Sequence, residues 1–190
     1  FPEPVKGGAT ALRRAGIDWT AKAVPVSELT PFEYPGSERF VAVIRDSDNA
    51  MIGMNGTRHQ VIQNEVLSEL GDAIIQMNGT FRYVGGGAFP NGDKTFLVLR
   101  SNHVLTFGDD GDRGFESILL VNDFNGNSPL TATTFVGRLA CTNQFSGLTR
   151  GKTGTRMVRI AHTKSAADRI VTAKDVLRAA VHEMDETEQE

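Results

Sequence analysis

Gly151-Lys152-Thr153 is the tail of a phosphate-binding P-loop, set within Asn143–Lys164, a run holding Arg150, Lys152, Arg156, Arg159 and Lys164 and no acid. A P-loop needs a glycine five positions before the glycine of Gly-Lys-Thr, and then a helix whose N-terminal amides hold phosphate. Ser146 occupies that position, Gly147 falls one place late, and Arg156–Ala161 alternates like a strand. Nucleotide binding is therefore rejected, and the segment is left as a polyanion contact or a solvated basic loop.

The acidic clusters Asp46-Ser-Asp48-Asn49 and Gly108-Asp-Asp-Gly-Asp112 group hard oxygen ligands. Neither has the spacing and closing Glu of an EF-hand loop, and tight turns favour Asp, Asn and Gly anyway, so both read as turns. His59, His103, His162 and His182 offer bases and Cys141 a thiol. No catalytic order is recognisable among them, because triads meet in space rather than along the chain. A lone Cys141 excludes an internal disulfide and a multi-thiolate zinc site, and at the end of an apolar strand it reads as a small buried hydrophobe. Asn55-Gly-Thr57 and Asn78-Gly-Thr80 read as Asn-Gly turns, and Gly85–Asp93 as a hairpin loop whose glycines could also approach a phosphate backbone. No catalytic residue, metal ligand or cofactor is expected.

What must position these groups follows from the whole chain. Its 190 residues suit one sizeable core, and 39% hydrophobic with 23% charged residues is a globular balance rather than a disordered one. Apolar runs stay short of the ~18 residues a membrane-spanning helix needs. The N-terminus lacks a signal layout, which predicts an intracellular protein, and a start at Phe1 predicts processing or a longer parent product. The net charge of -3 argues against a nucleic-acid partner until its distribution is considered. The last eight residues carry five acids and no Lys or Arg, so taking them from the net of -3 leaves +2 on residues 1–182. Residues 183–190 read as an acidic disordered tail.

Residues 1–36 read as an N-terminal extension: a short helix from Thr10 capped by Gly16, a strand-like stretch weakened at Pro25, and a Pro-rich connector. Residues 37–182 form the core domain. Arg39–Arg45 and Ala50–Met54 make a hairpin around Asp46–Asn49, and Gln60–Met77 has helical apolar spacing interrupted only by Gly71. Thr80–Val84, Lys94–Arg100, His103–Phe107, Phe115–Val121 and Leu130–Cys141 are β-branched and aromatic runs separated by Gly-, Asn- and Asp-rich turns. A strand over 155–161 and a helix over 166–181, capped by Ser165, close the chain. The expected fold is α+β, a single domain with an antiparallel β-meander, a central helix and a C-terminal helix.

Several phrases, in order, carry a resemblance: Ala15–Val26, Val43–Glu65, Phe81–Gly87, Lys94–Val98 with Leu99, Leu119–Gly126, Thr133–Phe145 and Arg159–Ile170. Over about residues 15–180 the chain resembles the phage/plasmid-like domain-of-unknown-function family numbered nine hundred and thirty-two. It departs from that family's pattern at Phe135 or Val136, where Pro is usual, at Asn143-Gln144-Phe145, near His59, and in lacking an N-terminal Trp-His-Gly stretch. The resemblance implies a phage, prophage or plasmid origin and a host bacterial cytoplasm.

Together these readings predict a single-stranded-DNA-binding protein, a homo-oligomer of the single-strand annealing recombinase kind. Its contacts would be Arg138, Arg150, Lys152, Arg156, Arg159 and Lys164, with Phe81, Phe89 and Phe145 as further stacking surfaces. Two alternatives remain open: a module that blocks a host defence by binding a host protein, and a nuclease using metal at Asp46, Asp48, Asp109, Asp110 or Asp112.

Overall fold

The computed structural model, which describes residues 1–31, 35–107, 112–136, 157–166, 168–173 and 175, turns the apolar runs into two antiparallel sheets. Strands β1 (Ala21–Pro25), β2 (Phe40–Arg45) and β3 (Met51–Gly56) form the smaller sheet. The larger is a five-stranded meander of β4 (Arg82–Ala88), β5 (Lys94–Phe107), β6 (Asp112–Asp123), β7 (Leu130–Val136) and β8 (Met157–Ile160). Helices α1 (Gly8–Ala15) and α3 (Glu65–Met77) pack on the meander, while α2 (Val26–Leu29) and a 3₁₀ turn at Ser37–Arg39 link β1 to β2. The α+β meander with a central helix is thus as expected, and helical backbone at 168–173 follows β8.

Residues paired across antiparallel strands share a face, so the register sorts the meander into two. One face carries Tyr83, Leu99 and Ile118, then Leu97, Leu120 and Ala132, and finally Leu130 and Ile160. Against it lie Ala11 and Leu12 of α1 and Leu67, Leu70 and Ile74 of α3. Each fully buried Leu or Ile there contributes about 1.5–3 kcal/mol. The N-terminal extension is built into this core rather than lying beside it, since Ala11 and Ile17 are fully buried and β1 completes the small sheet.

Gly71, a weak point for a helix, is where α3 meets the sheet. A Cβ there would sit 2.2 Å from the Tyr83 hydroxyl oxygen and 2.7 Å from two ring carbons. That hydroxyl donates to the Ser68 carbonyl (2.9 Å) and to Asp72 Oδ1 (3.0 Å), and the same carboxylate oxygen accepts from the Gly8 amide at 2.8 Å, tying the start of α1 to α3. Burial, with Asp72 beside it, pushes the Tyr83 phenol up.

Three expectations shift. The central helix starts at Glu65, not at residue 60, because Gln60–Asn64 bond across to other segments. The Gln63 amide pairs with the Ala21 N–H (3.0 Å) and carbonyl (2.7 Å), and Asn64 Nδ2 donates to the Ile17 carbonyl at 3.0 Å. Gly85–Gly87 are not a loop but part of β4, opposite Val98, Leu97 and Phe96. Lys94–Arg100 and His103–Phe107 are one strand, whose register slips between Arg100 and Val104 instead of turning. The strand expected to run to Cys141 is described to Val136. Cys141, His182, the Gly151–Thr153 motif and the acidic tail lie outside the described residues.

Candidate functional site

Three of the phrases quoted above meet where the two sheets adjoin. Asn122–Gly126 forms the end of β6 and the turn after it, Asn55–Glu65 the connection from β3 to α3, and His162 follows β8. Phe124 is fully buried as the wedge between the sheets, packed with Val43 and Ile52 and 5.2 Å from the Trp19 ring. Its carbonyl accepts from Asn55 Nδ2 at 2.9 Å. Asn122 Nδ2 donates to the Ile62 carbonyl (2.7 Å), and the Thr95 hydroxyl donates to Asn64 Oδ1 (2.6 Å), so the connection is laced to the sheet.

Against this joint the His59 and His162 rings stack, with centroids 4.9 Å apart and planes 14° apart. His162 Nδ1 lies 3.2 Å from the Gln60 carbonyl, which can only accept, so Nδ1 carries the proton and Nε2 is left as an acceptor. Burial, then the neighbouring His162, pushes His59 down to about 4, with Asp123 opposing. Burial also lowers His162, opposed by the Gln60 bond and by Asp123. Asp123 is fully buried and engaged: Oδ1 accepts from the Asn125 amide (3.0 Å), and Oδ2 from Ser128 (2.6 Å) and the Lys94 ammonium (3.4 Å). An imidazole lone pair lies in its own ring plane, so two stacked, near-parallel rings cannot aim at one metal ion. Among the described residues, no group of three His, Cys, Asp or Glu side chains is placed to hold one.

The second candidate lies on the other face of the meander. Its rows run Arg82, Arg100, Ser117, Phe135, then Gly85, Val98, Leu119, Thr133, then Gly87, Phe96, Val121, Thr131, Arg159. Leu119 and Thr133 at the middle are fully buried. Toward β4 the face opens into a cleft of about 530 Å³, floored by Phe96, Val98 and Phe135 and walled by Val84, Gly85 and Arg100 together with Phe1, Pro2 and Pro4 of the N-terminal segment. The Arg100 guanidinium sits 4.7 Å from the centre of the Phe115 ring, a cation–π contact that fixes a permanent positive charge at the lip.

Of the expected contact residues, Arg159 is exposed on β8 and on this same face. Lys164 is also exposed, but it borders a crevice against α3 beside Val66 and Glu69, so the two are not on one surface. Arg138, Arg150, Lys152 and Arg156 lie outside the described residues, as do Phe145, Asp109 and Asp110. Phe81 is core, and Phe89 packs edge-on against Phe96 at 6.3 Å. Asp46 pairs with Lys22 (3.3 Å) and accepts from Thr20 (2.9 Å), and Asp48 holds Arg45 through two bonds of 2.8 and 2.6 Å. These bonds, Thr20 first for Asp46 and Arg45 first for Asp48, keep both carboxyls below the usual range. The sequence reading missed the Arg100–Phe115 contact and the histidine stack. Both depend on register and on pairing between distant segments, which leave no periodic signal.

Fold and sites together define an α+β protein with a buried polar joint between two sheets and a basic-lipped cleft on the meander. The chain belongs to the family described as Domain of unknown function (DUF932), whose model matches residues 51–190 and so takes in both histidines and most of the cleft. Neither a curated protein nor a solved structure matches it. No helix among the described residues is long and apolar enough to cross a membrane.

Proposed function

We propose that this protein binds single-stranded DNA on the outer face of its meander, as an oligomeric annealing protein of phage or plasmid origin acting in the host bacterial cytoplasm. The observation that supports this reading is the apolar cleft over Phe96, Val98 and Phe135 with Arg100 anchored on Phe115 at its lip. Unstacked bases can bury their faces on such a floor while the guanidinium meets a phosphate, whereas duplex bases keep their faces hidden. Arg159 extends positive charge along the same face. Arg138, Arg150, Lys152 and Arg156, outside the described residues, are proposed as further backbone contacts. Lys164, on the far side, is not part of that face. Exposed Phe40, Met51 and Met54 on the small sheet support self-association.

A fluorescent oligonucleotide titration tests the reading. Binding to single strands that weakens steeply with added salt and is much poorer for duplex supports it. Absence of binding at low salt, with residues 183–190 removed as well as present, defeats it.

A further inference from the structure

Three buried side-chain atoms lack a partner among the described residues, His59 Nε2, His162 Nε2 and Asn122 Oδ1, and two of them belong to the stacked rings. The rings sit on segments far apart in sequence: the β3–α3 connection and the stretch after β8. Gln60 and His162 also join these segments through the Gln60 amide, which donates to the His162 carbonyl at 3.1 Å, and through the His162 Nδ1 bond. Between the same segments runs a crevice of about 290 Å³, with Gln63, Val66 and Glu69 on one wall and Lys164, Ala166 and Ile170 on the other.

We propose that the stacked histidines are a proton-operated latch: a proton added to either ring parts the segment after β8 from the β3–α3 connection and opens the crevice between them.

Two neutral imidazoles stack without electrostatic penalty. A protonated one places a cation against its neighbour and makes its Nε2 a buried donor with no acceptor. The charge facing both rings is Asp123 of β6, but Lys94 of β5, Ser128 and the Asn125 amide already hold that carboxylate. Arg58 and Lys164, in the same two segments as the rings, are exposed and positive and offer no counter-charge. Glu65 and Glu69 of α3 line the crevice, which the rings themselves do not. Burial holds both rings neutral at neutral pH, so the latch is closed there. An opened His59 returns to its ordinary 6.5 from about 4. That difference alone raises the open population at least about tenfold between about pH 7 and about pH 5.

Hydrogen exchange of the full chain, corrected for the intrinsic pH dependence of exchange, reads this out. Amides of residues 161–166 and 60–64 should exchange at least about tenfold faster at the lower pH, with β5 and β6 unchanged. His59→Phe combined with His162→Phe keeps two stacking rings that cannot be protonated, and in this double variant the acid response should shrink to that of β5. An acid response spread evenly over the sheet in the unaltered protein, or one fully retained in the double variant, overturns the latch. If the double variant does not fold, His59→Phe is read in its place: the part of the response carried by His59 should be lost, and a response equal to that of the unaltered protein overturns the latch.

Discussion

The Gly71 Cα sits against the ring of Tyr83 so closely that a methyl group there would overlap the hydroxyl oxygen, at 2.2 Å. This one relationship sets the distance between α3 and the meander. It also places the Tyr83 hydroxyl on Ser68 and Asp72, and through Asp72 it holds the start of α1. Helix propensity alone favours alanine over glycine by about 1 kcal/mol.

The close approach reverses that sign. Gly71→Ala should destabilise the fold by about 2–4 kcal/mol, since Tyr83 is fully buried and its ring has nowhere to move. Urea denaturation decides it: an unchanged or raised midpoint would mean that propensity wins and the packing is looser than described.

Most of the fold was legible from patterning. β2, the core of α3, β6 and β7 are dense apolar or β-branched runs, and the turns between them are spelled in Asn, Asp and Gly. The readings that moved depended on partners distant in sequence. Residues 60–64 have helical spacing, but the Gln63 and Asn64 side chains pin them to Ala21 and Ile17 ahead of the helix. The three glycines of β4 look like a loop until β5 supplies the ladder opposite them.

Asn122 shows the same dependence. Its Nδ2 satisfies the Ile62 carbonyl in the buried joint, so Asn122→Ala leaves that acceptor unpaired and should cost about 1–3 kcal/mol of stability. Thermal or urea melts of the variant beside the parent protein measure the loss, and a shift indistinguishable from zero would show that water reaches the joint.

Stability should also depend on pH through the histidines. His59 is held at about 4 in the folded protein against 6.5 when unfolded, so between those values the unfolded chain binds the extra proton. Its contribution is therefore complete above about pH 6.5 and is lost as pH falls toward about 4, the sign expected for a depressed pKa. Denaturation midpoints measured across that window should decline with acid in the parent protein and decline less in His59→Phe. Parallel curves for the two proteins would remove His59 from the account.

The candidate site was less legible than the fold. Arg100 and Phe115 are fifteen residues apart and unremarkable in sequence, and only the β5–β6 register, with its slip after Arg100, brings the guanidinium onto the ring. Arg159 was identifiable as a basic residue on a strand, but its face became defined only when β8 paired with β7.

Charge reversal at Arg100 tests the central claim most directly. Fluorescence anisotropy of a labelled single strand at low salt should show Arg100→Glu binding at least about tenfold more weakly than the parent protein, as expected when a phosphate contact becomes a repulsion beside the stacking floor. Circular dichroism should show the same fold in both. Equal affinity of the two folded proteins for the strand would contradict a DNA-binding role for the outer face of the meander.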